Sequence, residues 1–148
     1  RILDSAGIAY HIHTFPVAEA HVDAVSAARL MGIESERVWK TLVCNDTAGS
    51  HFVFVVPGPS ELDLRKAAAA ASAKRVRLVP VAEIYELTGY VRGGCSPIGM
   101  KRRYPTFLDE SAVVFASILV SAGERGVQIE AAPEDLLALL EARLADLV

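Results

Sequence analysis

The sequence predicts an α+β domain, with a mixed β-sheet surrounded by helices in a single unit spanning residues 1–148. Three observations lead there. Helical and strand periodicities interleave along the chain without a strict β-α-β order. No Pro-, Gly- or Ser-rich linker divides the chain, and 148 residues suit one domain with an adequate core. The hydrophobic fraction is 52% with only 7% aromatic, so Ala, Val and Leu supply most of the burial.

The elements follow in order. Ile2 and Leu3 open a short helix that Gly7 ends. AYHIHTF at 9–15 alternates as a strand does. Glu19 to Met31 reads as a helix, with Val22, Val25, Ala28 and Met31 on one side and Gly32 as its stop. Val38–Cys44 and His51–Val56 are apolar runs joined by NDTAGS, a hairpin-type loop. Ser60 or Asp63 caps a helix from Leu64 to Ala73. A strand at Arg75–Val79 precedes a helix at about Val81–Thr88, and a glycine-rich loop follows. Further strands are expected at Thr106–Leu108, Ile118–Val120 and Val127–Ala131. A last helix starts at Pro133, with Glu134 and Asp135 in its first turn and Leu136, Leu137, Leu140, Leu144 and Leu147 as its buried stripe.

Charge is distributed unevenly. Residues 1–64 carry 4 Lys/Arg against 8 Asp/Glu, residues 65–103 carry 9 against 2, and residues 109–148 carry 2 against 8. A basic third of this kind fits an anionic partner bound on one face, or charge scattered over solvated surfaces; charge alone does not decide. No run approaches the roughly 18–20 apolar residues of a membrane span, so no membrane partner is expected. Arg1 in place of Met is read as a trimmed start, and no signal peptide is recognised. Cys44 and Cys95 have neither CxxC nor Cys/His spacing, which fits two free thiols and a cytoplasmic protein.

Residues 89–103, GYVRGGCSPIGMKRR, carry most of the candidate chemistry. The stretch is neither a Walker loop nor a dinucleotide fingerprint. Cys95 beside Ser96 suggests a nucleophile, but no base is committed to activating it. Gly93 and Gly94 instead let backbone N–H groups approach a ligand, and Pro97 stiffens the exit, so a backbone-lined binding loop is the preferred reading. His11 and His13 share a strand face, as in some metal sites, yet no third ligand accompanies them. Lys40 stands alone in the apolar strand VWKTLV. Periodicity favours an edge charge that snorkels to water; the functional alternative is an ammonium at a pocket rim, facing phosphate or developing negative charge.

VWKTLV (38–43), ELDLRKAA (61–68), TGYVRGGCSPIGMKRRYPTFLDESA (88–112) and VSAGERGVQIEAAPEDLLALL (120–140) together resemble the YbaK family. Its members are free-standing relatives of the editing domain of bacterial proline–tRNA ligases, and the nearest subgroup acts on Cys-tRNA(Pro). The resemblance implies that family's fold, hydrolysis of the ester joining a wrong amino acid to tRNA(Pro), and neither metal nor organic cofactor. It assigns the key lysine to Lys40, followed by Thr41, and the GxxxP loop to Gly93, Gly94, Cys95, Ser96 and Pro97. It places the pocket serine at Ser121 and the aromatic after the first strand at Phe15. Lys101, Arg102 and Arg103 become the track for the tRNA backbone, and proline–tRNA ligase a second partner. The stretch after Phe15, PVAEAHVDAV, departs from the subgroup's pattern. That keeps open removal of another small residue such as alanine, and beside it a non-catalytic module that binds tRNA or a synthetase.

Overall fold

The computed structural model describes residues 1–17 and 22–148. Among these residues eight strands form two sheets. Tyr10–Thr14 (β1), Ile118–Ser121 (β6) and Val127–Ala131 (β7) make an antiparallel sheet in the order β1-β7-β6. Trp39–Asp46 (β2), His51–Pro57 (β3), Val76–Leu78 (β4), Thr106–Asp109 (β5) and Arg143–Ala145 (β8) make a mixed sheet in the order β4-β2-β3-β5-β8. A parallel bridge between Val38 and Leu119 joins the two. Between them lies the main core, where Trp39, Val53, Val55 and Leu108 meet Ile118, Val120 and Leu136. A second cluster packs Phe54, Val56, Phe107 and Leu147 under the helix Leu64–Ala70 (α3).

The hairpin between β2 and β3 forms as expected, with Asp46 Oδ1 accepting from the amides of Ala48 and Ser50 to close its loop. The short N-terminal helix is Ile2–Ser5 (α1). Asp63 is the cap of α3, accepting from Arg65 and Lys66 N–H, and that helix ends three residues earlier than the sequence suggests. The helix expected from Glu19 begins instead at Ala24 (α2, Ala24–Met31), because the Asp23 carboxylate accepts from Ser26 N–H and starts the helix there. Glu19, Ala20 and His21 lie outside the described residues. The helix Val81–Thr88 (α4) matches its expected bounds.

The C-terminus departs most from expectation. The last helix (α5, Pro133–Leu140) stops at Glu141, which takes a left-handed conformation at φ 51°. The chain then runs as β8 beside the open edge of β5, Phe107 opposite Arg143. Leu144 is therefore 42% exposed, and Leu147 is buried in the cluster under α3 rather than on the helix stripe. Both cysteines are free. Among the described residues no helix is long and apolar enough to cross a membrane.

Candidate functional site

The glycine loop is anchored at both ends. Thr88, which closes α4, donates its hydroxyl to Ile84 O and accepts from Tyr90 N–H, while Gly89 reverses the chain at φ 83°. The Tyr90 hydroxyl donates across the loop to Ile98 O at 2.5 Å, and Ser96 Oγ accepts from Ile98 N–H. Gly93 sits at φ 86°, in the left-handed region that favours glycine. Gly94 lies flat against the turn after β6: a Cβ there would come within 3.1 Å of Glu124 Cα and 3.2 Å of Arg125 N. Arg125 Nε adds a bond to Arg92 O at 2.9 Å. The Gly94 amide is committed to Val91 O, whereas no hydrogen bond from another described residue engages the amides of Cys95 and Ser96.

That turn also gathers two other expected residues. Ser121, buried at the end of β6, accepts from Gly123 N–H, and Phe15, half-buried, bonds through its amide to Gly126 O. The turn 121–126 thus links Ser121, the aromatic after β1 and the glycine loop. Lys40 approaches from the other sheet. The bridge at Val38–Leu119 runs parallel, so two residues further along each chain bring Lys40 and Ser121 to the same end of the junction. Beyond Val38, β2 keeps β3 on one side but pairs with β4 only from Cys44 onward, so among the described residues its other edge has no strand partner at Lys40.

Lys40 is half-buried. Burial lowers its pKa from the usual lysine value, and the charges of Glu61 and Asp23 oppose that shift. The edge-charge reading therefore holds in part: the strand has an open side at Lys40, but the ammonium is partly desolvated. Thr41 points to the opposite face by strand alternation, and its hydroxyl is buried without a partner. Cys95 is no activated thiol. Burial pushes it up to about 11, with a hydrogen bond to Thr88 acting the other way.

One residue escaped the sequence reading. Gln128 is directly opposite Ser121 on β7, is 7% exposed, and buries its Oε1 without a donor. Only the alternation of VQIEA hinted at it, by setting Gln128 and Glu130 on one face. His13 lies on that face too and donates to Glu130 Oε1 at 2.7 Å, while Arg37 and Ser117 donate to Glu130 Oε2. His11 is exposed. Among the described residues no group of three or more His, Cys, Asp or Glu side chains could hold a metal ion.

Lys101, Arg102 and Arg103 are exposed, but they do not act alike. Lys101 bonds through its amide to Thr88 O. Arg103 pairs with Glu141 at 2.8 Å and reaches Leu139 O. Arg102 and Arg103 line a cavity of about 240 Å³ that begins at Pro97.

The aminoacyl-tRNA editing domain family matches residues 18–139. EbsC of Enterococcus faecalis, named as a proposed Cys-tRNA(Pro)/Cys-tRNA(Cys) deacylase, is 43% identical over 147 residues, covering 99% of this chain and 90% of its own. A solved structure described as a proposed trans-editing enzyme for prolyl-tRNA synthetase superposes with a TM-score of 0.85 at 31% identity, covering 99% and 91% of the two chains. The hypothetical protein APE2540 superposes with a TM-score of 0.87 at 25% identity, covering 98% and 95%.

Proposed function

Because the chain belongs to the aminoacyl-tRNA editing domain family, we propose that it is a deacylase that clears mischarged Cys-tRNA(Pro) in trans. Proline–tRNA ligase is the partner that would deliver the tRNA, since so small a domain has few elements with which to read tRNA identity. Lys40 would hold a phosphate or the developing oxyanion, with the free amides of Cys95 and Ser96 as further donors. Ser121 and Phe15 would border the aminoacyl group, with the buried Gln128 side chain positioned opposite Ser121.

One observation supports this reading: Lys40 and Ser121 lie at the same end of the sheet junction, the loop beside the 121–126 turn has amides unpaired among the described residues, and burial holds its thiol protonated. A site so equipped can position an ester and stabilise its oxyanion without supplying an attacking group. The substrate cysteine then attacks its own ester carbonyl. A new S–C bond forms, the C–O bond to the ribose breaks, the ribose oxygen takes the thiol proton, and water opens the resulting thiolactone. Intramolecular attack in a held pose reaches effective molarities of roughly 10⁵–10⁸ M, enough without a triad.

The test is to incubate the protein with tRNA(Pro) charged separately with Cys, Ala, Ser and Pro and to follow ester loss. Cys-tRNA(Pro) should be cleaved fastest, and Ser-tRNA(Pro), similar in shape but a poorer nucleophile, far more slowly. Preferred cleavage of Ala-tRNA(Pro), which has no nucleophile to offer, would overturn the substrate-thiol account.

A further inference from the structure

The cavity that begins at Pro97 has no role in the chemistry just described. Ile98, Met100 and Leu140 give it an apolar wall, Tyr104 an aromatic one, and Arg102 and Arg103 stand over it as cations. Tyr104 is fixed by its hydroxyl on Leu87 O and by an edge contact with His51, so its ring is a rigid surface. Arg103 is neutralised by Glu141, whereas Arg102 has no carboxylate partner among the described residues. The result is a small apolar chamber with one uncompensated positive charge beside it.

We propose that this cavity seats an unpaired nucleobase of the tRNA acceptor end, upstream of the esterified ribose, with Arg102 on the adjoining phosphate. The inference rests on the deacylase reading above and adds a subsite to it. A flat base stacked on an aromatic ring, with a cation on its phosphate, is how proteins hold single-stranded RNA. At about 240 Å³ the chamber suits one base and falls short of the ~300–1,000 Å³ usual for larger ligands. Position agrees as well. Gly94, against the 121–126 turn, and Pro97, at the cavity, are three residues apart, at most about 11 Å of chain. Stacked nucleotides advance about 3.4 Å each along one strand, so a base one or two positions before the esterified nucleotide falls within that reach.

The experiment uses a short fluorescent RNA ending in ACCA, and versions in which each cytidine in turn is replaced by an abasic ribose, with affinity read by anisotropy. Losing the seated base should weaken binding to the wild-type protein by about 5- to 150-fold for one of the two probes. Met100→Trp, which fills the chamber, should bind that probe and the intact RNA alike. Arg102→Ala, at an exposed position that leaves folding unaffected, should weaken every probe and reduce the slope of log K against log salt by about 0.7. Arg102→Ala should also raise KM for Cys-tRNA(Pro) with kcat unchanged. Equal affinity for intact and both abasic RNAs, or an unchanged salt slope in Arg102→Ala, overturns the proposal. A protein that discriminates the abasic probe yet cleaves no aminoacyl-tRNA keeps the nucleobase subsite and loses the deacylase reading. A deacylase indifferent to abasic substitution loses only the subsite.

Discussion

Gln128 faces Ser121 across the β6–β7 ladder, and its carbonyl oxygen is buried with no donor to satisfy it. A buried acceptor left unpaired costs about 1–3 kcal/mol, a cost that a purely structural residue would have no reason to carry. Gln128→Leu should therefore keep or raise the thermal midpoint while lowering kcat/KM for Cys-tRNA(Pro). A fall in stability with unchanged kcat/KM would assign Gln128 to the fold alone.

Lys40→Ala should reduce deacylation by roughly 10- to 150-fold, the worth of one charge-assisted contact, without loss of fold. Lys40→Arg should restore little, because its planar fork places the charge elsewhere. Burial lowers the Lys40 pKa, so the activity that depends on its ammonium should decline on the alkaline side before the ordinary lysine value of 10.5. Wild-type turnover by Lys40→Ala would remove this side chain from the site.

Cys95→Ala should retain most activity on Cys-tRNA(Pro). With its thiol near 11, Cys95 should also react slowly with iodoacetamide at neutral pH. A covalent aminoacyl adduct on Cys95, seen by mass spectrometry, would contradict the substrate-thiol route.

Gly93→Ala places a Cβ on a backbone at φ 86°, a conformation that costs other residues about 1–2 kcal/mol. The thermal midpoint should fall by roughly 2–8 °C for a chain of this size, and activity should fall further than that change explains. Full activity at a lowered midpoint would make the glycine a turn residue only.

Glu130 joins the three-stranded sheet to Arg37 and Ser117. Its carboxyl is held down to about 2, chiefly by the Ser117 hydroxyl and then by His13 and Arg37, against an ordinary value of 4.5. Its folded pKa lies below the unfolded one, so the stabilisation is complete above pH 4.5 and is lost as pH falls from there towards 2. Glu130→Gln should cost about 1 kcal/mol after solvent screening and flatten the acid limb of stability against pH over that window. An unchanged acid limb would mean that the pair contributes nothing to stability.

Most of the fold was legible in the sequence because local chemistry decides it. Alternation marked β1, apolar runs around a hairpin loop marked β2 and β3, Asp63 and Gly32 bounded helices, and Pro133 opened α5. Where a long-range contact competes with local periodicity, the sequence misleads. Leu144 and Leu147 continue the leucine stripe of α5, yet the unpaired edge of β5 draws Leu144 into a parallel strand that no local pattern announces, and Leu147 follows it into the core under α3. Resemblance identified Lys40, Ser121, Phe15 and the glycine loop as candidates one by one, but it could not say that the Val38–Leu119 bridge sets Lys40 and Ser121 at one end of the sheet junction, or that the 121–126 turn touches both the Phe15 backbone and Gly94. Gln128 and the division of labour within Lys101, Arg102 and Arg103 likewise depend on cross-strand register and on a distant carboxylate, Glu141. Val38 and Leu119 are 81 positions apart and His13 and Glu130 are 117 apart, and periods of two and 3.6 residues carry no information about such contacts.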